Sequence, residues 1–78
     1  MESNLFDYDE VLASESFGIK MFKDSCYRGE LVKNKRAGRG VMVYRKARLF
    51  EGWWDGDNRC GRGMERYSNG NRYDGEFL

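Results

Sequence analysis

Between Lys33 and Arg48 the chain carries Lys33, Lys35, Arg36, Arg39, Arg45, Lys46 and Arg48, and not one acid. Cations in that density suit an anionic surface: acidic lipid headgroups, an acidic protein surface or an acidic peptide. Arg59 extends the set. The competing reading is a solvated rim that keeps a β protein from pairing edge to edge. Trp53 is a second candidate, because an exposed tryptophan anchors interfaces well; cross-strand packing against a neighbour would explain it equally.

Other combinations promise less. Asp55, Asp57 and Asn58 are calcium-type oxygen donors, but the glutamate that an EF-hand loop needs does not follow them. Gly61-Arg62-Gly63 opens like a nucleotide-binding glycine motif, yet no helix pattern follows it. Cys26 and Cys60 form no CxxC pair. They read as reduced thiols of a cytosolic chain, with a disulfide between them as the alternative. Histidine is absent, which removes the commonest general base and a common zinc ligand. Catalytic and metal residues are therefore expected to be none, and cofactors none.

Seventy-eight residues make one small domain or a piece of a longer array. No apolar run is long enough to span a bilayer, and the first residues lack the basic-then-apolar order of a secretory signal. Charge is close to balanced but divided. Residues 1–16 hold five acids and no base, giving −5, while residues 17–78 hold all 14 basic residues and the other eight acids, giving +6. An acidic arm precedes a basic body.

What positions these side chains is a repeat. "YRGEL" begins at Tyr27, "FEGWW" at Phe50 and "YDGEF" at Tyr73, 23 residues apart each time. Gly29, Gly52 and Gly75 fall in step, as do Leu31, Trp54 and Phe77. Gly38/Gly61, Gly40/Gly63, Tyr44/Tyr67, Arg36/Arg59 and Arg39/Arg62 keep the same period. Each unit reads as a hairpin: a strand over 27–32, a polar turn over 33–37, a return strand over 38–44, then a link over 45–48. The second unit repeats this and ends at Asn69-Gly70, two residues that tolerate positive φ. Glycine at the centre of an aromatic strand reads as a slot, across which a ring from the sheet can lie and recover burial. On this reading Gly29, Gly52, Gly75 and the G-x-G pairs all offer slots, and the repeated residues are scaffold.

This pattern, Y-x-G-x-aromatic followed by G-x-G in steps of 23, resembles the MORN (membrane occupation and recognition nexus) repeat over residues 27–78. A degenerate half-unit over 17–26 precedes it, with Gly18 aligned to Gly40 and Phe22 to Tyr44. The resemblance implies an all-β, elongated, single-layer antiparallel meander of five or six short strands, with a short helix or disordered arm at the N-terminus. The expected organisation is an acidic arm over 1–16 and a meander over 17–78, with units at 27–49, 50–72 and the first strand of a third at 73–78. Asn34 and Asp57 stand at the family's turn glycine, Ala47 at a link glycine and Trp53 at a usually polar position. Ala47 implies a link without a positive-φ turn, or a strained one.

The family's members act as scaffolds, dimerisation modules and adaptors in junctional membranes, ciliary spokes, cytoskeletal rings and regulatory halves of enzymes. The expected role here is a non-catalytic, cytoplasmic scaffold or adaptor, associated with cytoskeleton or membrane. The alternative is peripheral binding to anionic phospholipid through the basic hairpin edges; a weaker one is a regulatory fragment of a larger enzyme. Nucleic acid is not expected, since the charge lies on no continuous face. The open strand 73–78, with Phe77 and Leu78 at its tip, implies strand addition to a protein partner or to a second copy. Leu5, Tyr8 and Leu12 would share one face of a helix over 4–13, letting the acidic arm fold onto the basic sheet.

Overall fold

The computed structural model describes residues 5–77; the expectation for Leu78 lies outside them. A short helix, α1 (Tyr8–Leu12), precedes six strands: β1 (Phe17–Met21), β2 (Ser25–Val32), β3 (Lys35–Tyr44), β4 (Leu49–Asp55), β5 (Asn58–Arg66) and β6 (Arg72–Phe77). They form one antiparallel sheet in chain order, a plain meander. At six strands its elongation is slight, with extents of 34 × 26 × 25 Å.

The register contains the key to the fold. Gly18 pairs with Gly29, Gly29 with Gly40, Gly40 with Gly52, Gly52 with Gly63 and Gly63 with Gly75. One glycine per strand thus forms a row across the whole sheet, and paired residues share a face. Rings lie along this row. A Cβ on Gly52 would sit 2.7 Å from Phe50 Cζ, and one on Gly63 would be equally close to Phe50 and 2.8 Å from Phe77 Cδ1. Tyr27 covers Gly40 in the same way, and Tyr73 covers Gly75. Each unit's leading aromatic lies on the glycine of its own strand, and Tyr27 and Phe50 reach that of the next.

The rings meet edge to face in a continuous chain: Tyr27 to Trp54 at 5.5 Å, Trp54 to Phe50 at 5.5 Å, Phe50 to Phe77 at 4.9 Å and Phe77 to Tyr73 at 5.5 Å. Stepping 23 residues converts the Tyr27–Trp54 contact into the Phe50–Phe77 contact. Tyr27 and Phe50 are fully buried and Trp54 nearly so, with Met42 completing the cluster. This face holds the main core cluster, while Met64 and Val11, also fully buried, lie on the opposite face.

Gly38 and Gly61 are not slots. Nothing lies within 4 Å of a Cβ on Gly61, whereas one on Gly38 would meet the Glu30 carboxylate. Both have positive φ, 56° and 70°, and both sit where the pairing register shifts. They build β-bulges, which need a left-handed residue and sharpen the local twist. The first glycine of each G-x-G bends the strand, and the second receives a ring.

The turns are tighter than a five-residue polar loop. β2 and β3 join through Lys33-Asn34 (φ 52° and 65°), and β4 and β5 through Gly56-Asp57 (φ 54° and 76°). Two consecutive positive φ angles match the right-handed strand twist, which lets the strands run to within two residues of each other. In the 67–71 link only Gly70 has positive φ (92°); Asn69 instead accepts a hydrogen bond from Asn71 N at 2.9 Å. At the 45–48 link Lys46 and Ala47 both adopt φ of 60°, so the strained alternative holds. The left-handed region costs an L-residue about 1–2 kcal/mol. Ala47→Gly should therefore raise the unfolding free energy by about 0.5–1 kcal/mol after glycine's own chain entropy is deducted. Urea denaturation checks this; an unchanged midpoint would mean that the link is not strained.

α1 is only five residues long, capped where Asp7 Oδ1 accepts from Asp9 N at 2.9 Å. That start fixes its phase. Val11 is fully buried and Leu12 is 44 % exposed, so Leu12 does not share the packed face; Leu5 precedes the cap and is not in the helix.

Candidate functional site

On the ring face the polar groups are bound to one another. Arg36 stacks between Phe22 and Trp54, with its Cζ 4.7 and 4.6 Å from the ring centres. It also donates through N and Nε to Asp57 Oδ1 at 2.8 and 2.9 Å. Arg59, one repeat later, lies 4.0 Å over Phe50, donates to Tyr44 Oη at 2.7 Å and reaches Glu65 at 3.3 Å. Glu65 is buried and also holds Arg48 at 2.6 Å. Three of the cations that the sequence offered to an anionic surface, Arg36, Arg48 and Arg59, thus serve as struts over the rings. Their charged heads are matched and their planes stacked, as suits guanidinium better than ammonium.

The remaining candidates do stand at the edges. Lys33 and Lys35 are exposed at the turn edge, where Lys20 Nζ also donates to Asn34 O at 2.6 Å. Lys46 is exposed at the link edge beside Arg45, which pairs with Asp24 at 3.3 Å. These two groups lie at opposite ends of the strands. Tyr67 and Tyr73 are partly open, and Phe77 is half-buried against Phe50.

The opposite face of the sheet carries the arm. Phe6 stacks edge-on against Trp53 at 5.3 Å, so Trp53 is half-buried under the arm. Glu10 accepts from Arg39 at 3.3 Å, Tyr8 and Arg28 line the same groove, and Ser14 Oγ donates to Glu30 at 3.0 Å. Sequence reasoning missed Glu30, Arg28 and Val11. Glu30 is the most consequential: it accepts from the Arg39 backbone at 2.7 Å and from its guanidinium at 3.2 Å, and so closes the Gly38 bulge. Its repeat counterpart is Trp53, the departure already visible in the sequence. Beside α1 lies an open groove of about 680 Å³ lined by Cys26, Arg28, Val41, Val43, Leu49 and Glu51, with Tyr8 as a wall.

Titration follows from these pairs. Hydrogen bonds from the Arg39 side chain hold Glu30 below its ordinary value, and the Arg36 backbone and side chain do the same for Asp57. Burial pushes the Tyr27 hydroxyl up. A depressed carboxylate pKa gives stability that is present above the unfolded value, near 4, and is lost as pH falls through the folded value. The melting temperature should therefore decline below about pH 4, and Glu30→Gln with Asp57→Asn should flatten that acid limb. An acid limb of equal slope in the double variant would contradict the assignment.

Among the described residues no group of three His, Cys, Asp or Glu side chains could hold a metal ion, and both thiols are free. No described helix is long and apolar enough to cross a membrane. The family model of the MORN repeat matches residues 27–46 and 50–72. No curated protein matches the chain in sequence.

Proposed function

The chain belongs to the MORN repeat family, a non-catalytic repeat module generally involved in protein or membrane interactions, and we propose that it is a scaffold or adaptor element working through protein contacts. One observation carries this reading. Tyr27 receives a ring from the following unit (Trp54), and Phe50 receives one as well (Phe77), whereas Tyr73 on the edge strand β6 is 48 % exposed. A strand from a partner or from a second copy would supply the missing cover and satisfy the edge through strand addition. The free thiols fit a cytoplasmic location. The same residues would let the chain serve a cytoskeletal or a membrane-attached assembly, or regulate an enzyme of which it is one part.

Anionic phospholipid is the second reading, supported by the exposed Lys33, Lys35 and Lys46 at the two edges. Each contributes on the order of 1 kcal/mol near a charged bilayer, so three would hold weakly. Removing residues 1–16 also removes −5 of charge and the Glu10 partner of Arg39, which keeps Glu30.

Sedimentation of the full chain and of an arm-deleted chain, with and without phosphatidylserine vesicles, separates the two. The protein reading expects mass to rise with concentration and little vesicle pelleting. A strict monomer that pellets with vesicles, more so without its arm, would replace it by the lipid reading. A monomer that does neither would count against both.

A further inference from the structure

We infer that the groove beside α1 is a docking site for an amphipathic helix of another protein, apolar along one stripe and acidic along its flanks. This rests on the reading of the chain as a protein-binding module and names the surface used.

The floor follows from the register. Arg28, Val41 and Glu51 pair across β2, β3 and β4 in one row, and Cys26, Val43 and Leu49 pair in the next row toward the link edge. Three strands spaced about 4.8 Å make a floor roughly 10 Å wide, the diameter of a helix. In the floor Val43 is 42 % exposed, and exposed apolar groups continue it onto β1, where Ile19 is 54 % and Met21 72 % exposed. Such a stretch on one side of a sheet is what a second layer normally covers.

The chemistry of the occupant is read from what already sits there. α1 lies on this same face, burying Val11 and setting Glu10 on Arg39 and Tyr8 beside Arg28. The adjoining groove repeats that chemistry without a helix. The open charges around it are mostly cationic: Arg28 is exposed at the outer end of its floor row, Arg66 pairs opposite Leu49 on the same face, and Lys23 and Lys46 stand on the neighbouring links, while Glu51 is buried in the floor and Asp24 is paired with Arg45. A helix with leucine-type residues on one stripe and glutamates on its flanks would lie beside α1 and complete a second layer.

The probes are two synthetic 14-residue peptides with leucine at positions i, i+3, i+4 and i+7, one filled with glutamate and one with lysine. Each is titrated into the full ¹⁵N-labelled chain. The expected result is saturable shifts of the Cys26, Val41, Val43 and Leu49 amides with the acidic peptide, and binding at least tenfold weaker with the basic one. Val43→Glu, at a position already open to solvent, should weaken the acidic peptide at least tenfold with an unchanged melting temperature. Arg66→Glu should act in the same direction, so the test does not depend on one variant folding.

No saturable shift, equal binding of both peptides, or indifference to both substitutions would overturn the proposal. So would perturbation of these amides by phosphatidylserine vesicles but not by the peptide, which would assign the face to a lipid surface. A monomer that binds the peptide upholds the groove while removing the edge-assembly reading. An oligomer that ignores the peptide does the reverse.

Discussion

Phe50→Ala is expected to cost about 3–5 kcal/mol, the range for deleting a buried aromatic ring. A chain of 78 residues has roughly 4–12 kcal/mol in total, so this one substitution should remove a large fraction of the stability. Phe50 is the joint of the ring chain. It touches Trp54 on one side and Phe77 on the other, lies over Gly52 and Gly63, and carries Arg59 on its face at 4.0 Å. Little can collapse into its place, because glycines have no side chains to move. Phe77→Ala, at a half-buried ring nearer the edge, should cost less. Guanidinium denaturation followed by tryptophan fluorescence reads both, and a loss below about 1 kcal/mol for Phe50→Ala would refute the ring chain as the core.

Gly29→Val should cost about 3 kcal/mol, at the top of the usual range for overpacking, and Gly52→Val about 2 kcal/mol. The difference lies in what the new Cβ meets. At Gly29 it would stand 2.6 Å from the Arg39 carbonyl oxygen and against the Gly40 Cα, which are backbone atoms held by the sheet ladder. At Gly52 its nearest neighbour is the Phe50 ring at 2.7 Å, a side chain that can tilt. The two sites should also couple differently to the rings. In a Phe50→Ala background much of the penalty at Gly52 should vanish, because the nearest clashing atom is gone and only the Arg62 carbonyl oxygen at 3.0 Å remains. The penalty at Gly29 should persist there. Additive costs at Gly52 and Phe50 would show that the glycine does not serve the ring.

Much of this molecule is written in a period. Residues that recur every 23 positions must occupy equivalent places, and an aromatic two residues from a glycine on a strand must share its face. These rules lead to a meander of hairpins and to the family, and the family resemblance in turn marks Asn34 and Asp57 as turn positions. The fate of each charge is not periodic. Arg36 and Arg59 read as edge cations because they flank turns, but the bulges at Gly38 and Gly61 twist the strands and the rings offer faces to stack on. The roles of Gly38 and Gly40, identical letters two positions apart, separate only when the register shift is known.

The sequence by itself determined the all-β class, the repeat length, the aromatic and glycine positions that build it, and the division into acidic arm and basic body. These depend on local geometry and on alternation along a strand. Only the tertiary structure decided that one face gathers into a ring core, open at Tyr73, with its arginines spent on it. Only it decided that the arm covers Trp53 through Phe6 and Arg39 through Glu10 on the other face, and that a groove remains beside them. Those outcomes depend on which residues meet across strands and across the layer, and sequence distance carries no record of such meetings.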